Sequence, residues 1–430
     1  MNELVDIAIV GCGGMGRRHL AGLAELARTD HNNVRLAAVC DLDEGKAASL
    51  ADEAETLLGV RPAVFTDVAR MSAETEGLAG ADCTTDTPAH HRVSVKLLNL
   101  GLHTMCEKPL ALTMRSCDLI IDAAERNGKI LSVAENFRRD PINRLVRALI
   151  DDKAIGESRF VMETTVGGRS NMFITPWRHM KVAGALTLDA GVHNADILQY
   201  YFGSPLSAFG QARLFEKTRR RGPGAGPGNF WEAWAKDFPE TIEPTGEDAM
   251  FGVLNFANGM IGQWVYNYAG HGQPFEHRMI FGSRGSIAAP GDRNGRPVRL
   301  MLDDGTDIQD EQILDHAPSY RLPPVAAQLF GGERVWTYDF DFVTTDRKII
   351  ALEYHEFGEC IRTGARPEVD GAVAKRAMAM VYALFESQLA GRPVTIAEVE
   401  AGHVDAYQRE IDEHIGLLEP SAGKPAGAAR

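Results

Sequence analysis

The sequence predicts an α/β protein in which an N-terminal doubly wound parallel sheet precedes a C-terminal α+β domain with an open, largely antiparallel sheet. Short apolar runs alternate with helical patterns up to residue 133, as in parallel βαβ units. A glycine-rich turn follows the first run. From residue 159 onward, short strand patterns separated by Asn-Gly or other glycine turns predominate. We therefore expect one domain over residues 1–137 and a second over 138–416.

The first strand leads into a turn with the spacing G-x-G-x-x-G. Residues 6–20 read DIAIVGCGGMGRRHL, with a β-branched strand over 7–10 and a helix over 14–28. The first glycine permits a tight turn, the second lets a pyrophosphate approach the backbone, and the third lets the helix pack on the strand. Free N–H groups at the helix start attract phosphate. The pattern predicts a Rossmann-type dinucleotide-binding domain, with contacts from Gly11, Gly13, Gly14, Met15 and Gly16.

An acidic residue stands where the second strand ends. The apolar run 34–40 is followed by Asp41, at about the position where a carboxylate binds the adenosine ribose in such a unit. That carboxylate would repel a 2′-phosphate, so NAD is favoured over NADP as the cofactor. The alternative is that Asp41 caps the next helix, although Asp43 is better placed to do so.

The remaining N-terminal pattern continues the alternation of strand and helix. Helices are predicted over 45–58, 91–100 and 112–127, and strands over 63–65, 81–85, 103–106 and 130–133. A ligand of such a sheet lies beyond the carboxyl ends of its strands.

The second part combines strands with a few helices. Strands are predicted over 159–166, 249–256, 261–268, 277–281 and 286–288, and helices over 142–151, 192–201, 348–363 and 372–389. An antiparallel sheet with helices on one face has another face to bury. We therefore expect a homodimer or homotetramer formed through this sheet.

Two segments and the tail show neither the strand–helix alternation of the first part nor the short-strand pattern of the second. Residues 217–245 and 303–347 lack a period and are predicted to be surface insertions, with the arginine run 219–221 in solvent. Three aromatic residues in the first insertion are candidates for a lid or a subunit contact: Phe230, Trp231 and Trp234. Residues 417–430 are expected to be disordered.

Composition excludes several classes of partner. The formal net charge of −14 over 430 residues argues against a nucleic-acid or anionic-membrane partner and favours a small molecule. The six cysteines form no C-x-x-C pair and are expected to be buried thiols in a reducing cytoplasm. No ligand spacing of a metal site is present. Glu3 and Asp6 stand where a secretion signal would carry positive charge, and no run approaches about 18 apolar residues, so we expect a soluble intracellular protein.

Several motifs together resemble one enzyme family. GCGGMGRRHL, TPAHH, CEKPLAL, the Trp177-Arg178 pair and DAGVHNADI occur in this order within residues 5–202, and residues 370–387 are similar to a late helix of the same family. The chain thus resembles the glucose-fructose oxidoreductase, inositol dehydrogenase and rhizopine-catabolism family, written Gfo/Idh/MocA. The resemblance implies an NAD(P)-dependent oxidoreductase that acts on a secondary alcohol of a sugar, cyclitol or similar polyol.

The chemistry of alcohol oxidation accounts for three of the motif residues. A base must take the hydroxyl proton as hydride leaves, and Lys108 and His193 are the candidates. By family analogy His193 is the base, while Lys108 and Asp189 bind the same hydroxyl; the residues alone leave open which of the two takes the proton. Asp189 and His193 share a face if their segment is one helix. Singly, Lys108 could be a surface residue and His193 a core histidine. Pro109 allows a cis peptide bond beside Lys108.

Eight residues are predicted to line the cofactor side of the cleft. Thr87, Pro88 and His91 are placed near the nicotinamide, although His91 also fits a core histidine. The others are Glu107, Lys108, Asn136, Trp177 and Arg178, of which Lys108 also belongs to the catalytic set and Arg178 could instead form a salt bridge.

These observations favour an NAD-dependent dehydrogenase of a sugar, cyclitol or glycoside, with a glycoside 3-dehydrogenase as a specific version. Redox-neutral glycoside cleavage or epimerisation with NAD is an alternative that would yield no net NADH. A dinucleotide sensor without catalysis is a third hypothesis, against which the presence of both Lys108 and His193 argues.

Overall fold

The computed structural model describes residues 4–222 and 238–419. Its N-terminal part is a six-stranded sheet of order β3-β2-β1-β4-β5-β6, in which every pair is parallel. The strands are β1 Val5–Val10, β2 Val34–Cys40, β3 Ala63–Phe65, β4 Gly80–Cys83, β5 His103–Glu107 and β6 Leu131–Ala134. The strand order reverses between β1 and β4, which is where a doubly wound sheet opens a crevice. The predicted Rossmann-type sheet is confirmed.

Five helices connect these strands: α1 Gly14–Leu26, α2 Glu44–Leu58, α3 Val68–Glu74, α4 Thr87–Asn99 and α5 Met114–Asn127. Asp43 caps α2, accepting hydrogen bonds from the main-chain N–H groups of Gly45 and Lys46. Gly128, at φ 59°, ends α5 as predicted. The sequence analysis missed α3, because it has only seven residues and buries one of them, Met71.

A short helical connection leads to the second part of the chain. It contains a 3₁₀ turn Phe137–Arg139 and helix α6 Pro141–Asp151, and strand β7 Ser158–Gly168 follows. Two further 3₁₀ turns, Pro176–His179 and Lys181–Ala183, precede helices α7 Ala185–Asp189 and α8 Gly191–Phe202. The domain boundary at residue 137 stays a prediction.

The second sheet has nine strands in the order β16-β15-β14-β13-β7-β12-β11-β8-β17. All neighbours are antiparallel except β7 and β12, which are parallel, so the sheet is mixed and mostly antiparallel. Its strands after β7 are β8 Ser207–Arg213, β11 Ala249–Asn255, β12 Ile261–Gly270, β13 Phe275–Gly282, β14 Gly285–Ala289, β15 Arg299–Leu302, β16 Asp307–Ile308 and β17 Val394–Thr395. A separate pair joins β9 Arg219–Arg220 to β10 Thr241–Ile242.

Helix α11 Gly371–Ala390 packs on one face of this sheet, against β8 and β11, whereas the other long helix, α10 Phe342–Thr363, packs against α1 of the first part. The short helices are α9 Pro324–Phe330, α12 Ile396–Glu400 and α13 Arg409–His414. Two strand glycines let α11 approach closely: a Cβ on Gly210 would lie 2.9 Å, and one on Gly252 2.4 Å, from Leu384 Cδ2. The other face exposes Phe209, Phe251, Val253, Ile261 and Phe281.

The prediction that residues 303–347 form a surface loop is wrong. The segment contains β16, a 3₁₀ turn Glu311–His316, α9 and the start of α10. Tyr320 and Tyr338 are buried in it, and the Tyr320 hydroxyl lies 2.9 Å from each of the main-chain carbonyls of Pro141 and Val335. Because the segment is held by irregular contacts with distant residues, it shows no sequence period.

The prediction that the arginine run 219–221 lies in solvent is wrong for Arg219. This side chain is fully buried, and its guanidinium pairs with Asp248 at 2.9 Å. It also donates to the main-chain carbonyls of Arg169 and Tyr268. The aromatic residues Phe230, Trp231 and Trp234 lie outside the described residues, as does 420–430 of the predicted tail.

All six cysteines lie in the described part of the chain, and each is buried and unpaired, as predicted. Among the helices within residues 4–222 and 238–419, none combines the length and the apolar character that crossing a bilayer requires. The expected cytoplasmic location stays a prediction.

Candidate active site

A cleft of about 970 Å³ lies beyond the carboxyl ends of the parallel strands. The second sheet supplies its opposite wall through residues of β7, β12 and β13. The predicted site residues that line it are Gly11, Gly13, Gly14, Met15, Asp41, Thr87, Glu107, Lys108, Asn136, Trp177, Arg178, Asp189 and His193. Gly16, Pro88 and His91 do not line it.

The glycine turn has the geometry that a dinucleotide requires. Gly11 has φ +102°, and a Cβ there would lie 2.8 Å from the main chain of Thr84. A Cβ on Gly16 would lie 2.3 Å from the Gly11 carbonyl oxygen, so Gly16 serves helix packing rather than the cleft. Nothing lies within 4 Å of a Cβ on Gly13, and no side chain caps α1. The N–H groups at the start of α1 are therefore accessible to a diphosphate, and the turn fits NAD.

Asp41 stands beside this turn at the end of β2. Its carboxylate accepts hydrogen bonds from the main-chain N–H of Cys12 at 2.7 Å and of Asp43 at 2.9 Å. The helix that follows is capped by Asp43 instead. Asp41 thus joins the end of β2 to the glycine turn. Its carboxylate borders the cleft where the ribose of a dinucleotide would lie.

On α4, His90 rather than His91 faces the cleft. His90 Nδ1 lies 2.9 Å from the Pro109 carbonyl oxygen, and its Nε2 lies 3.1 Å from that of Thr85. His91 is buried, its Nδ1 has no partner in the described residues, and burial together with Arg92 lowers its pKa. Neighbouring helix residues point about 100° apart, so only one of the two can face the cleft. Pro88 occupies the first turn of α4.

A buried charge cluster holds the strand end that carries Lys108. His19 of α1 lies between Asp82, at 2.7 Å, and Glu107, at 3.0 Å. Burial alone would lower the pKa of His19, but the two carboxylates raise it well above the usual value. Glu107 also accepts a hydrogen bond from the Lys108 main-chain N–H at 3.0 Å. The Lys108–Pro109 peptide bond is cis.

Lys108, Asp189 and Arg178 form one ion cluster in the cleft. Lys108 Nζ donates to the Asp189 main-chain carbonyl at 2.8 Å and lies 3.6 Å from the carboxylate. Arg178 Nε donates to the same carboxylate at 3.0 Å, and its guanidinium lies 4.3 Å from the Trp177 ring centroid. Burial would raise the pKa of Asp189, but Arg178 and Lys108 lower it to about 2. Asp189 is therefore an anion at neutral pH.

Asp189 and His193 do not share one continuous helix. Their four-residue spacing would place them on one face only if the segment were a single helix. Asp189 ends α7, and His193 lies in the first turn of α8 after a break at Ala190. Both side chains nevertheless line the cleft.

His193 has a carboxylate partner that the sequence analysis missed. Its Nδ1 lies 2.6 Å from Glu135 Oε1, and its ring stacks on Phe137 with centroids 4.2 Å apart. Burial and then Lys108 lower the pKa of His193 well below its usual value, whereas burial raises the pKa of Glu135 to about 7. The sequence position of Glu135 could have indicated this role. Glu135 directly follows β6, and the carboxyl end of a parallel strand faces the ligand crevice.

Residues of the second part complete the wall and were also missed. Arg293 lies 4.9 Å from the Phe137 ring and 4.8 Å from the Phe342 ring, and it pairs with Asp346 at 3.2 Å. Glu276 of β13 lines the cleft, and its carboxylate has no hydrogen bond or ion pair within the described residues. Ile174, at φ +56°, is a β-branched residue in a strained conformation at the same wall. No group of three or more metal-binding side chains occurs in residues 4–222 and 238–419.

Comparisons with known proteins agree with this geometry. Residues 5–135 match the model of an oxidoreductase family with an NAD-binding Rossmann fold, and residues 143–288 match the Gfo/Idh/MocA C-terminal domain. D-apiose dehydrogenase of Paraburkholderia graminis is 25% identical over 92% of this chain and 90% of its own. Inositol 2-dehydrogenase 2 of Saccharopolyspora erythraea is 30% identical over 66% of this chain and 73% of its own.

A solved structure extends the likeness to the fold of both parts. An NAD-binding oxidoreductase from Klebsiella pneumoniae superposes with a TM-score of 0.73 at 20% identity, covering 91% of this chain and 99% of its own. The N-terminal sheet is thus the NAD-binding domain of an oxidoreductase.

Replacing Asp41 by alanine tests the cofactor preference. Loss of the carboxylate should weaken NAD binding about tenfold and strengthen NADP binding, because the ribose loses an acceptor and the 2′-phosphate loses a repelling charge. Titration calorimetry of the apoprotein with each dinucleotide measures both. Asp43→Ala is the matched control: it removes a helix cap, costs about 1 kcal/mol of stability and should leave the ratio of the two affinities unchanged. An unchanged ratio in Asp41→Ala would contradict this role.

Proposed function

The chain belongs to the Gfo/Idh/MocA family of NAD-binding oxidoreductases, and from that premise we propose that it oxidises a secondary hydroxyl of a neutral sugar, cyclitol or glycoside to a ketone. The observation that carries the proposal is the convergence of Lys108, Asp189 and His193 in the cleft beside the glycine turn. NAD, when bound, supplies the hydride acceptor. The chain's own residues must then bind the hydroxyl, orient it and take its proton.

We assign the proton to His193 and the binding of the hydroxyl to Lys108 and Asp189. Lys108 is held as a hydrogen-bond donor by the main-chain carbonyl and the carboxylate of Asp189. His193 is buried enough that its pKa lies well below the usual value, so its imidazole is neutral. Its Nε2 has no hydrogen-bond partner within the described residues and can accept a proton.

The electrostatics of the cleft support a neutral substrate rather than a phosphate or an acid. Three cationic groups of the cleft are paired with carboxylates, Arg178 and Lys108 with Asp189, and Arg293 with Asp346. Glu276 adds a carboxylate without a partner to the wall. A carboxylate accepts hydrogen bonds from sugar hydroxyls and repels a second anion.

Lys108→Met tests the proposal, since it retains the length of the side chain and removes its charge. With a sugar, cyclitol or glycoside that the native enzyme oxidises, NADH formation should fall by at least about 100-fold, because the hydroxyl loses its donor in the transition state. NAD affinity should change little. Absorbance of NADH under saturating NAD measures the rate, and Lys129→Met, which does not line the cleft, is the control.

Two results would contradict the proposal. One is a native enzyme that binds NAD yet forms no NADH with a broad panel of neutral sugars, inositols and glycosides. The other is a Lys108→Met variant with native activity. Product analysis in the first case separates redox-neutral glycoside cleavage or epimerisation from a protein without catalysis.

We also propose that the exposed face of the nine-stranded sheet joins two copies of this chain. Val253 of β11 is paired with Phe209 of β8, and Ile261 and Phe281 flank Phe160 of β7, so the exposed apolar residues are contiguous. Phe160 and Phe281 also stack with ring centroids 5.9 Å apart. A face of this kind on a large sheet is a typical subunit interface.

Val253→Lys should therefore dissociate the oligomer. A charge at the centre of the apolar face must be desolvated when two copies meet, which opposes association. Sedimentation velocity at micromolar concentration measures the mass. Val60→Lys introduces the same change at an exposed valine outside this sheet and should leave the mass unchanged. A native chain that sediments as a monomer would contradict the interface.

A further inference from the structure

We infer that Glu135 is a positioning residue for His193: its carboxylate holds the imidazole in the tautomer protonated at Nδ1 and thereby leaves Nε2 free to take the substrate proton. The inference rests on the proposed function, and it concerns a residue outside the Lys108, Asp189 and His193 set.

The hydrogen-bond geometry identifies the tautomer. Glu135 Oε1 accepts a hydrogen bond from the main-chain N–H of Phe137 at 3.2 Å, and the same oxygen lies 2.6 Å from His193 Nδ1. An oxygen that already accepts from a main-chain N–H presents a lone pair to its other neighbour. His193 Nδ1 is therefore the donor, and the lone pair of the ring lies on Nε2.

The packing leaves His193 little freedom to turn away. Its ring lies parallel to that of Phe137, with 4° between the planes and 4.2 Å between the centroids. Glu135 has a side chain only 3% exposed, directly after β6. Phe137 thus holds the imidazole in two ways, since its ring stacks on His193 and its main-chain N–H orients Glu135. The catalytic nitrogen is aimed by the end of a strand of the parallel sheet.

Glu135 also compensates the charge that arises in the reaction. When Nε2 takes the proton, a buried imidazolium forms beside two cations, Lys108 and Arg293, which oppose it. A carboxylate 2.6 Å from Nδ1 offsets that repulsion. The charged groups that face the pair are Lys108, Arg293, Asp189 and Glu107 around His193, and Lys108, Arg138, Glu107, Asp196 and Glu353 around Glu135.

The pH dependence follows from the raised pKa of Glu135, which burial brings to about 7. Below that pH Glu135 is protonated and cannot compensate an imidazolium, so kcat/KM for oxidation should rise as pH increases through about 7. In Glu135→Gln the amide oxygen still accepts from Phe137 and from Nδ1, but the charge is lost. We expect kcat to fall about 10- to 100-fold, KM and NAD affinity to stay near native values, and the rise near pH 7 to disappear.

Glu386→Gln is the matched control. Glu386 is likewise a buried carboxyl whose pKa burial raises, it accepts a hydrogen bond from the main-chain N–H of Tyr407, and it does not line the cleft. This variant should keep the native pH profile. A Glu135→Gln enzyme with native kcat or with the native rise near pH 7 would overturn the inference, and so would a Glu386→Gln enzyme that loses the same rise.

A second measurement does not depend on activity or on the Glu135→Gln variant. In the apoprotein labelled with ¹⁵N-histidine, the His193 signals can be assigned by their absence from His193→Asn. At about pH 8, where Glu135 is ionised, couplings between ring protons and nitrogens should show the tautomer protonated at Nδ1. The tautomer protonated at Nε2 would overturn the inference. Absence of NADH formation by the native enzyme would instead contradict the proposed function and leave this measurement valid.

Discussion

One buried carboxylate, that of Asp189, joins the two parts of the molecule at the cleft. It receives Lys108 from the end of a parallel strand and Arg178 from the 3₁₀ turn that follows β7. Separating such a buried pair by removal of one partner costs about 3–5 kcal/mol, because an unpaired charge is left behind. The ammonium group of Lys108 is thereby kept beside His193, and the two sheets keep the spacing that forms the cleft.

The rest of the site depends on how charge is distributed around that pair. Three cations of the cleft have carboxylate partners. His193 is instead largely buried, neutral and held by Glu135. Strand β12 shows how the second sheet serves two surfaces, since Tyr266 faces the cleft and Ile261 lies on the exposed apolar face. A rigid sheet thus aligns the wall of the site with the surface that we assign to subunit contact.

Most of the parallel sheet could be predicted because its strands and helices carry their own periods. The pattern of apolar runs, the glycine turn and the Asp43 cap depend on neighbours in the sequence. The segment 303–347 could not be predicted in this way. Its buried tyrosines donate to groups far along the chain, Tyr320 to the Pro141 carbonyl and Tyr338 to the Asp140 carboxylate. A short strand such as β16 has only two residues in which to show alternation.

Local patterns were enough to predict the cofactor fold, because the G-x-G-x-x-G turn and the residue after a strand act through local backbone geometry. Lys108, Asp189 and His193 became candidate site residues through the resemblance of their motifs to one family. Which polar groups meet depends on the tertiary structure. It placed His90 instead of His91 at the cleft, buried Arg219 against Asp248 and brought Glu135 to His193. The physical reason is that burial and charge pairing depend on residues tens of positions apart, whose approach no local pattern records.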